Sequence, residues 1–181
     1  MFAINQKPVP DFSLLRSYRA RLHADAWNTF LDCFAADLTS AVSLAEFISA
    51  FYNSLPFRLE RRIIQALIGR PSTAEDVRAL ANGTTDQFAA WVVLARTDTQ
   101  ILLGDYRGHT RSWLAVKPLP GGGTQLLFGS GIRSVADPVT GAPSRSWGFR
   151  ALGGFHVLYS RVLLGAARRR LATGNGSARQ G

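Results

Sequence analysis

QILLGDYRGHTRSWLAVK, residues 100 to 117, carries the decision about the fold. Ile101, Leu103 and Asp105 alternate with Leu102 and Gly104. Beyond Gly108-His109, Ser112, Leu114 and Val116 alternate with Arg111, Trp113 and Ala115. A period of two on both sides of a glycine is the pattern of two strands folded back on one another. Glycine in first place of a two-residue loop suits a type II′ turn. That turn pairs Arg107 with Thr110, Asp105 with Ser112, Leu103 with Leu114 and Ile101 with Val116, and this is read as the core face. The other face, read as the outer one, sets Tyr106 against Arg111 and Gly104 against Trp113. A large ring covers the backbone that a facing glycine leaves bare, so Trp113 is expected over Gly104 and near Gly129.

Working outward, residues 88–96 are apolar on both faces and predict a central strand. Pro120 and the glycines 121–123 turn the chain into a strand over 124–135. There Leu126, Phe128, Ser130 and Ile132 alternate with Gln125, Leu127, Gly129, Gly131 and Arg133. Upstream, Phe30, Asp32, Phe34 and Ala36 alternate with Thr29, Leu31 and Cys33, which predicts a strand over 29–37. A helical insert separates the two regions. Ser43 with Glu46 forms a capping box, and Leu44, Phe47, Ile48, Phe51 and Leu55 share one face. Pro56 opens a second helix with Leu59, Ile63 and Leu67 as its stripe before Gly69. Ser72 with Glu75 caps a third, which ends near Gly83.

The chain finishes in a long amphipathic helix over 149–171, reached through a Pro-, Gly- and Ser-rich loop at 136–148. Leu152, Phe155, Tyr159, Leu163 and Ala166 lie on one side with His156 beside them, and Arg150, Gly154, Val157, Arg161 and Arg168 on the other. At about 1.5 Å per residue it reaches roughly 33 Å, the width of a sheet. The expected organisation is an irregular arm (1–13, broken by Pro8 and Pro10), one domain (14–172) and a flexible tail (173–181). The expected class is α+β: a curved antiparallel sheet, a helical insert after its first strand, and a long C-terminal helix packed on it as in a helix-grip fold.

Composition narrows the function. The chain has 181 residues, is 46% hydrophobic and carries a net charge of +9, which suits one globular core. Cys33 is the single cysteine, so neither a disulfide framework nor a multi-cysteine metal site is expected. His23, His109 and His156 lack the close spacing of zinc ligands, and no metal or cofactor is expected. Gly129-Ser130-Gly131 is not a nucleophile elbow, and the glycines 121–123 lack the Gly-Lys-Ser/Thr of a nucleotide loop. No signal peptide is read at the start, and the most apolar window, 151–167, is too short for a membrane span. These features predict a cytoplasmic protein. Residues 1–100 balance ten Lys/Arg with ten Asp/Glu, whereas residues 101–181 carry eleven against two. Such asymmetry attracts anionic surfaces, although Arg111 and Arg133 are expected to lie over aromatic rings, Arg111 over Tyr106.

The segment GDYRGHTRSW (104–113), Phe128-Gly129-Ser130 and FHVLYSR (155–161), in this order, resemble the START/birch-pollen-allergen-like (SRPBCC) superfamily of helix-grip proteins. The likeness covers most of residues 25–171 and, more specifically, is similar to a bacterial branch known only as a domain of unknown function. The resemblance implies an internal cavity between sheet and C-terminal helix for an apolar or amphipathic small molecule. No catalytic motif of the superfamily is matched, and no catalytic residue is carried over. The candidate ligand-binding set is Asp105, Ser112, Phe128, Ser130, Phe155, His156 and Tyr159. Two readings of its polar members stand open. In one they anchor a ligand, or in a cyclase- or isomerase-type enzyme Asp105 and His156 move protons on a bound carbonyl compound. In the other Asp105 bonds its own hairpin and His156 and Tyr159 are core residues. A docking role for the basic C-terminal half is the remaining alternative. A hydrophobic small molecule is the expected partner, with no specific nucleic acid and with room for a homo-oligomer.

Overall fold

The computed structural model describes residues 4–21, 29–57, 73–133 and 147–177, with side chains for all of these except 21, 29, 133, 147–156 and 175–177. The chain is α+β. Its elements run β1 (Asn5–Gln6), α1 (Leu14–Arg21), β2 (Thr29–Leu38), α2 (Leu44–Tyr52), α3 (Ala74–Asn82), β3 (Gln87–Phe88), β4 (Trp91–Arg96), β5 (Gln100–Asp105), β6 (Thr110–Pro118), β7 (Thr124–Arg133) and α4 (Trp147–Ser177). The strands form one seven-stranded curved antiparallel sheet in the order β1-β2-β7-β6-β5-β4-β3. Thus β2, the first long strand, pairs with β7, the last.

The alternation read in the sequence sets the two faces. Phe34, Ala36, Ile101, Leu103, Leu114, Val116, Leu126 and Phe128 join one core cluster with α2, α3 and α4. Cys33, Ala35, Leu102, Trp113, Ala115 and Leu127 form a second, smaller core with Leu15 of α1. The face read as outer is therefore covered by the N-terminal segment, and Trp113 is fully buried. Gln100 holds this cover in place: its Oε1 accepts from Leu14 N at 3.0 Å and from Trp113 Nε1 at 2.9 Å, while its Nε2 donates to Phe12 O at 3.2 Å. Trp113 lies directly opposite Gly129, as expected, where an added Cβ would come within 2.9 Å of the ring. It does not lie over Gly104, whose free space is taken by Leu94 and Arg111.

That last difference comes from the hairpin. Leu103 pairs with Ser112 and Ile101 with Leu114, a register two residues from the expected one. The loop has four residues, 106–109, because Asp105 caps it: its Oδ1 accepts Thr110 N–H at 2.7 Å and its carbonyl accepts Gly108 N–H at 2.9 Å. Gly108 takes the left-handed φ of +75° that this closure needs. A shift of two keeps every side chain on its face, so Ile101, Leu103, Ser112, Leu114 and Val116 still share the core face. The Arg111 guanidinium lies over Tyr18, 5.5 Å from the ring centre, and not over Tyr106, which receives Arg107 at 5.4 Å.

The expected central strand at 88–96 is instead a tight hairpin at the sheet's edge. Gln87–Phe88 folds back on β4 through Ala89-Ala90, with Ala89 at φ +53°. The two-sided apolarity has another cause: Trp91 and Val93 pack on the main core while Leu94 and Ala95 pack on the second.

The insert begins as read. Ser43 and Glu46 satisfy one another's backbone N–H groups in a capping box. The helix ends at Tyr52, however, which leaves Leu55 76% exposed and outside the stripe. The expected second helix of the insert lies mostly outside the described residues. The cap of α3 is Thr73 with Asp76, one residue later than expected. A β-branched threonine serves better as a cap than in a first turn, and Gly83 closes the helix in the left-handed conformation as anticipated.

The C-terminal helix runs 31 residues, and its buried stripe is Ser160, Leu163, Leu164 and Ala167. Tyr159, expected at the centre, is half-buried at the flank, and Val157 and Leu171, half-buried, pack on the core. Arg168, expected outside, is also half-buried and donates from Nε to Asp37 O at 2.9 Å. The small residues Ser160 and Ala167 bring the helix close to its neighbours, so the seam follows them and not the largest ring. Among the described residues no helix is long and apolar enough to cross a membrane.

Candidate functional site

Pairing across the sheet arranges the inward side chains in rows. At the rim stand Phe30, Ile132 and Thr110. One row deeper come Asp32, Ser130 and Ser112, continued by Leu103. The next row is Phe34, Phe128, Leu114 and Ile101. The second row is the anomaly. Its three polar residues are 3%, 5% and 8% exposed, although the two rows beneath, Phe34–Phe128–Leu114–Ile101 and Ala36–Leu126–Val116, are apolar. Buried polar groups of this kind are held by hydrogen bonds. Here Ser130 donates its backbone N–H to Asp32 Oδ1 at 3.1 Å, and its hydroxyl bonds the same carboxylate oxygen.

Local sequence explains the row. Asp32 keeps the period of two in Phe30-x-Asp32-x-Phe34, so a strand that buries Phe34 carries its carboxylate inward. Ser130 is flanked by Gly129 and Gly131, whose missing side chains leave room for Trp113, Leu15 and Leu31 on the other face. The charge of the carboxylate is also felt by its neighbour. Burial pushes the Cys33 thiol up from its ordinary value of 9.0 to about 12; the Asp32 charge adds to the rise and Lys7 opposes it.

Below this row the face is filled by rings. Phe128 meets Phe51 of α2 with ring centres 4.9 Å apart, and Phe51, Tyr52, Phe57 and Phe88 continue the cluster. Phe128 is therefore packed against the insert, a contact the sequence reading did not give it. The polar row begins where the aromatic filling stops, one row in from the half-exposed rim.

The predicted residues are brought together in part. Ser112 and Ser130 are side by side in the row, and Phe128 is in the next. Asp105 stands at the rim, engaged with Thr110 N and, at 3.7 Å, with the Arg111 guanidinium. Tyr159 packs against the main core. The side chains of Phe155 and His156 lie outside the described residues. Asp32 was missed, and its signal was a lone carboxylate within an apolar alternation. Chemically the row offers a carboxylate and two hydroxyls within one buried strip, a set that accepts hydroxyl or amine hydrogens and can donate a hydroxyl hydrogen in return. Among the described residues no cluster of three His, Cys, Asp or Glu is arranged to hold a metal.

Fold and site together define the class: an α+β protein whose seven-stranded antiparallel sheet carries a buried polar row on the face shared with its helices. Compared with models of protein families, with curated proteins and with solved structures, the chain matches none of them.

Proposed function

We propose that this protein binds a small amphipathic molecule in the manner of a helix-grip domain, with the molecule's polar end on the Asp32–Ser130–Ser112 row. The START-like resemblance of the segment order supports the reading. The observation that carries it is the row itself, since small-molecule sites are mostly apolar with a few converging polar groups. A row needed only for packing would be served as well by valine or threonine on such strands. The ligand's apolar body would run toward Phe30 and Ile132 at the rim. His156, four residues before the buried Ser160, completes the proposed set with the half-buried Tyr159, whereas the register of α4 sets Phe155 nearer the exposed Val162.

Native mass spectrometry of the protein purified from its own host should show a non-covalent adduct. Ser112→Ala and Ser130→Ala should each weaken its retention about tenfold, the value of one buried hydrogen bond. Bare protein mass under gentle ionisation, together with no saturable uptake of the apolar dye Nile red, would sink the proposal.

A further inference from the structure

A second surface, independent of the polar row, lies on the opposite side of α4. The helix contains five arginines and no Asp or Glu in its 31 residues. Its outward face includes Leu158, 61% exposed, and Val162, 41% exposed. At about 100° per residue, Leu158, Val162 and the exposed Arg169 fall within about 40° of one another, and the exposed Arg161 and Arg170 stand on either side. Ile4 of the N-terminal arm closes over Gly165, so the open apolar patch is the turn from Leu158 to Val162.

We infer that this face docks the protein on an anionic bilayer surface. Charge selects the sign of the partner, because three exposed arginines on one helix meet no acid of their own element. The apolar pair selects its class. Leucine and valine gain nothing from a sugar-phosphate backbone, whose binding rests on cations alone, but they gain from the headgroup–acyl boundary, where basic helices seat their apolar faces. A second copy is the poorer occupant, since a two-fold contact sets the same arginines against each other. Docking of this kind is peripheral and reversible.

The test is flotation of the full chain with vesicles of phosphatidylcholine alone and with vesicles about one-third phosphatidylglycerol, at rising salt. Binding should be confined to the anionic vesicles and should fall steeply as salt rises. Replacing Arg161, Arg169 and Arg170 by glutamine should weaken it roughly fivefold per arginine. Leu158→Ser with Val162→Ser should weaken it about tenfold while leaving the salt slope unchanged. All five positions are exposed, and an unchanged melting temperature keeps the comparison clean. Absence of binding to the anionic vesicles overturns the inference, as does equal binding of the double-serine variant. So does a dimer in sedimentation equilibrium that Leu158→Ser dissolves, or tight binding of duplex DNA that the double-serine variant retains in full.

Discussion

Cys33 shows how one side chain reports the environment around it. It is fully buried under Leu15, beside the strand position that turns Asp32 inward. Its thiol, held up at about 12 chiefly by burial, is neutral in the folded protein wherever the unfolded chain would also be neutral. Stability from this group is therefore complete below about pH 9 and is lost as pH rises toward about 12, to a limit of roughly 4 kcal/mol. Urea titrations at successive alkaline pH values should show that decline, and Cys33→Ala should flatten it relative to wild type. The same thiol should ignore Ellman's reagent at pH 8 until the protein is unfolded. Gly129 makes the complementary point through space. An added Cβ would stand 2.9 Å from both Asp32 O and Trp113 Cε3, so Gly129→Ala should destabilise by about 1–3 kcal/mol in equilibrium denaturation.

Among elements, α4 is the one whose sequence pattern most nearly misleads. Hydrophobicity alone centres its seam on Tyr159, whereas the buried stripe runs through Ser160, Leu164 and Ala167. Leu164→Ala should therefore cost about 2–5 kcal/mol. Leu158→Ala, on the exposed side, should stay within about 0.5 kcal/mol. Thermal melts of the two variants decide it, and equal losses would mean that the helix is covered all round. The rotation escaped the sequence because periodicity weighs a residue by its apolar area, while helix packing also rewards small residues that allow close approach. The β5–β6 hairpin erred more gently. Its alternation was legible, but the capping role of Asp105 was not, and the resulting shift of two left Ser112 on its predicted face. The β3–β4 turn gave no signal at all, for Ala89 takes a positive φ where glycine or asparagine is the usual mark.

For the molecule as a whole, the sheet is covered on both sides, by helices on one and by the N-terminal segment on the other. Strand alternation and the first insert helix were legible because each follows a regular period, and the closing helix was legible as a helix though not in its seam. The N-terminal cover was not, since Leu14, Leu15 and Tyr18 are diluted by arginines and preceded by two prolines. Only the finished fold shows Gln100 joining Phe12, Leu14 and Trp113. Asp32 was hidden for a related reason: its meaning depends on Ser130, 98 residues away. Gln100→Leu should leave the buried indole N–H unpaired and lower stability by about 1–3 kcal/mol. It should also speed tryptic cleavage near Arg16, which limited proteolysis would reveal; unchanged cleavage would mean that the segment is held by its apolar contacts alone.

The pairing of β2 with β7 imposes an order in time. On the ribosome the strands from β3 to β6 can zip as each hairpin emerges, since every partner is close in sequence. β2 has only the two-residue β1 before it, and its full-length partner is a strand made about a hundred residues later, on the order of ten seconds of synthesis. Throughout that interval the side of β2 that β7 will take is an open edge for any passing chain. The nascent protein is thus most vulnerable not at its start but just before β7 appears, and slow distant pairing of this kind sets the pace at which the molecule is completed.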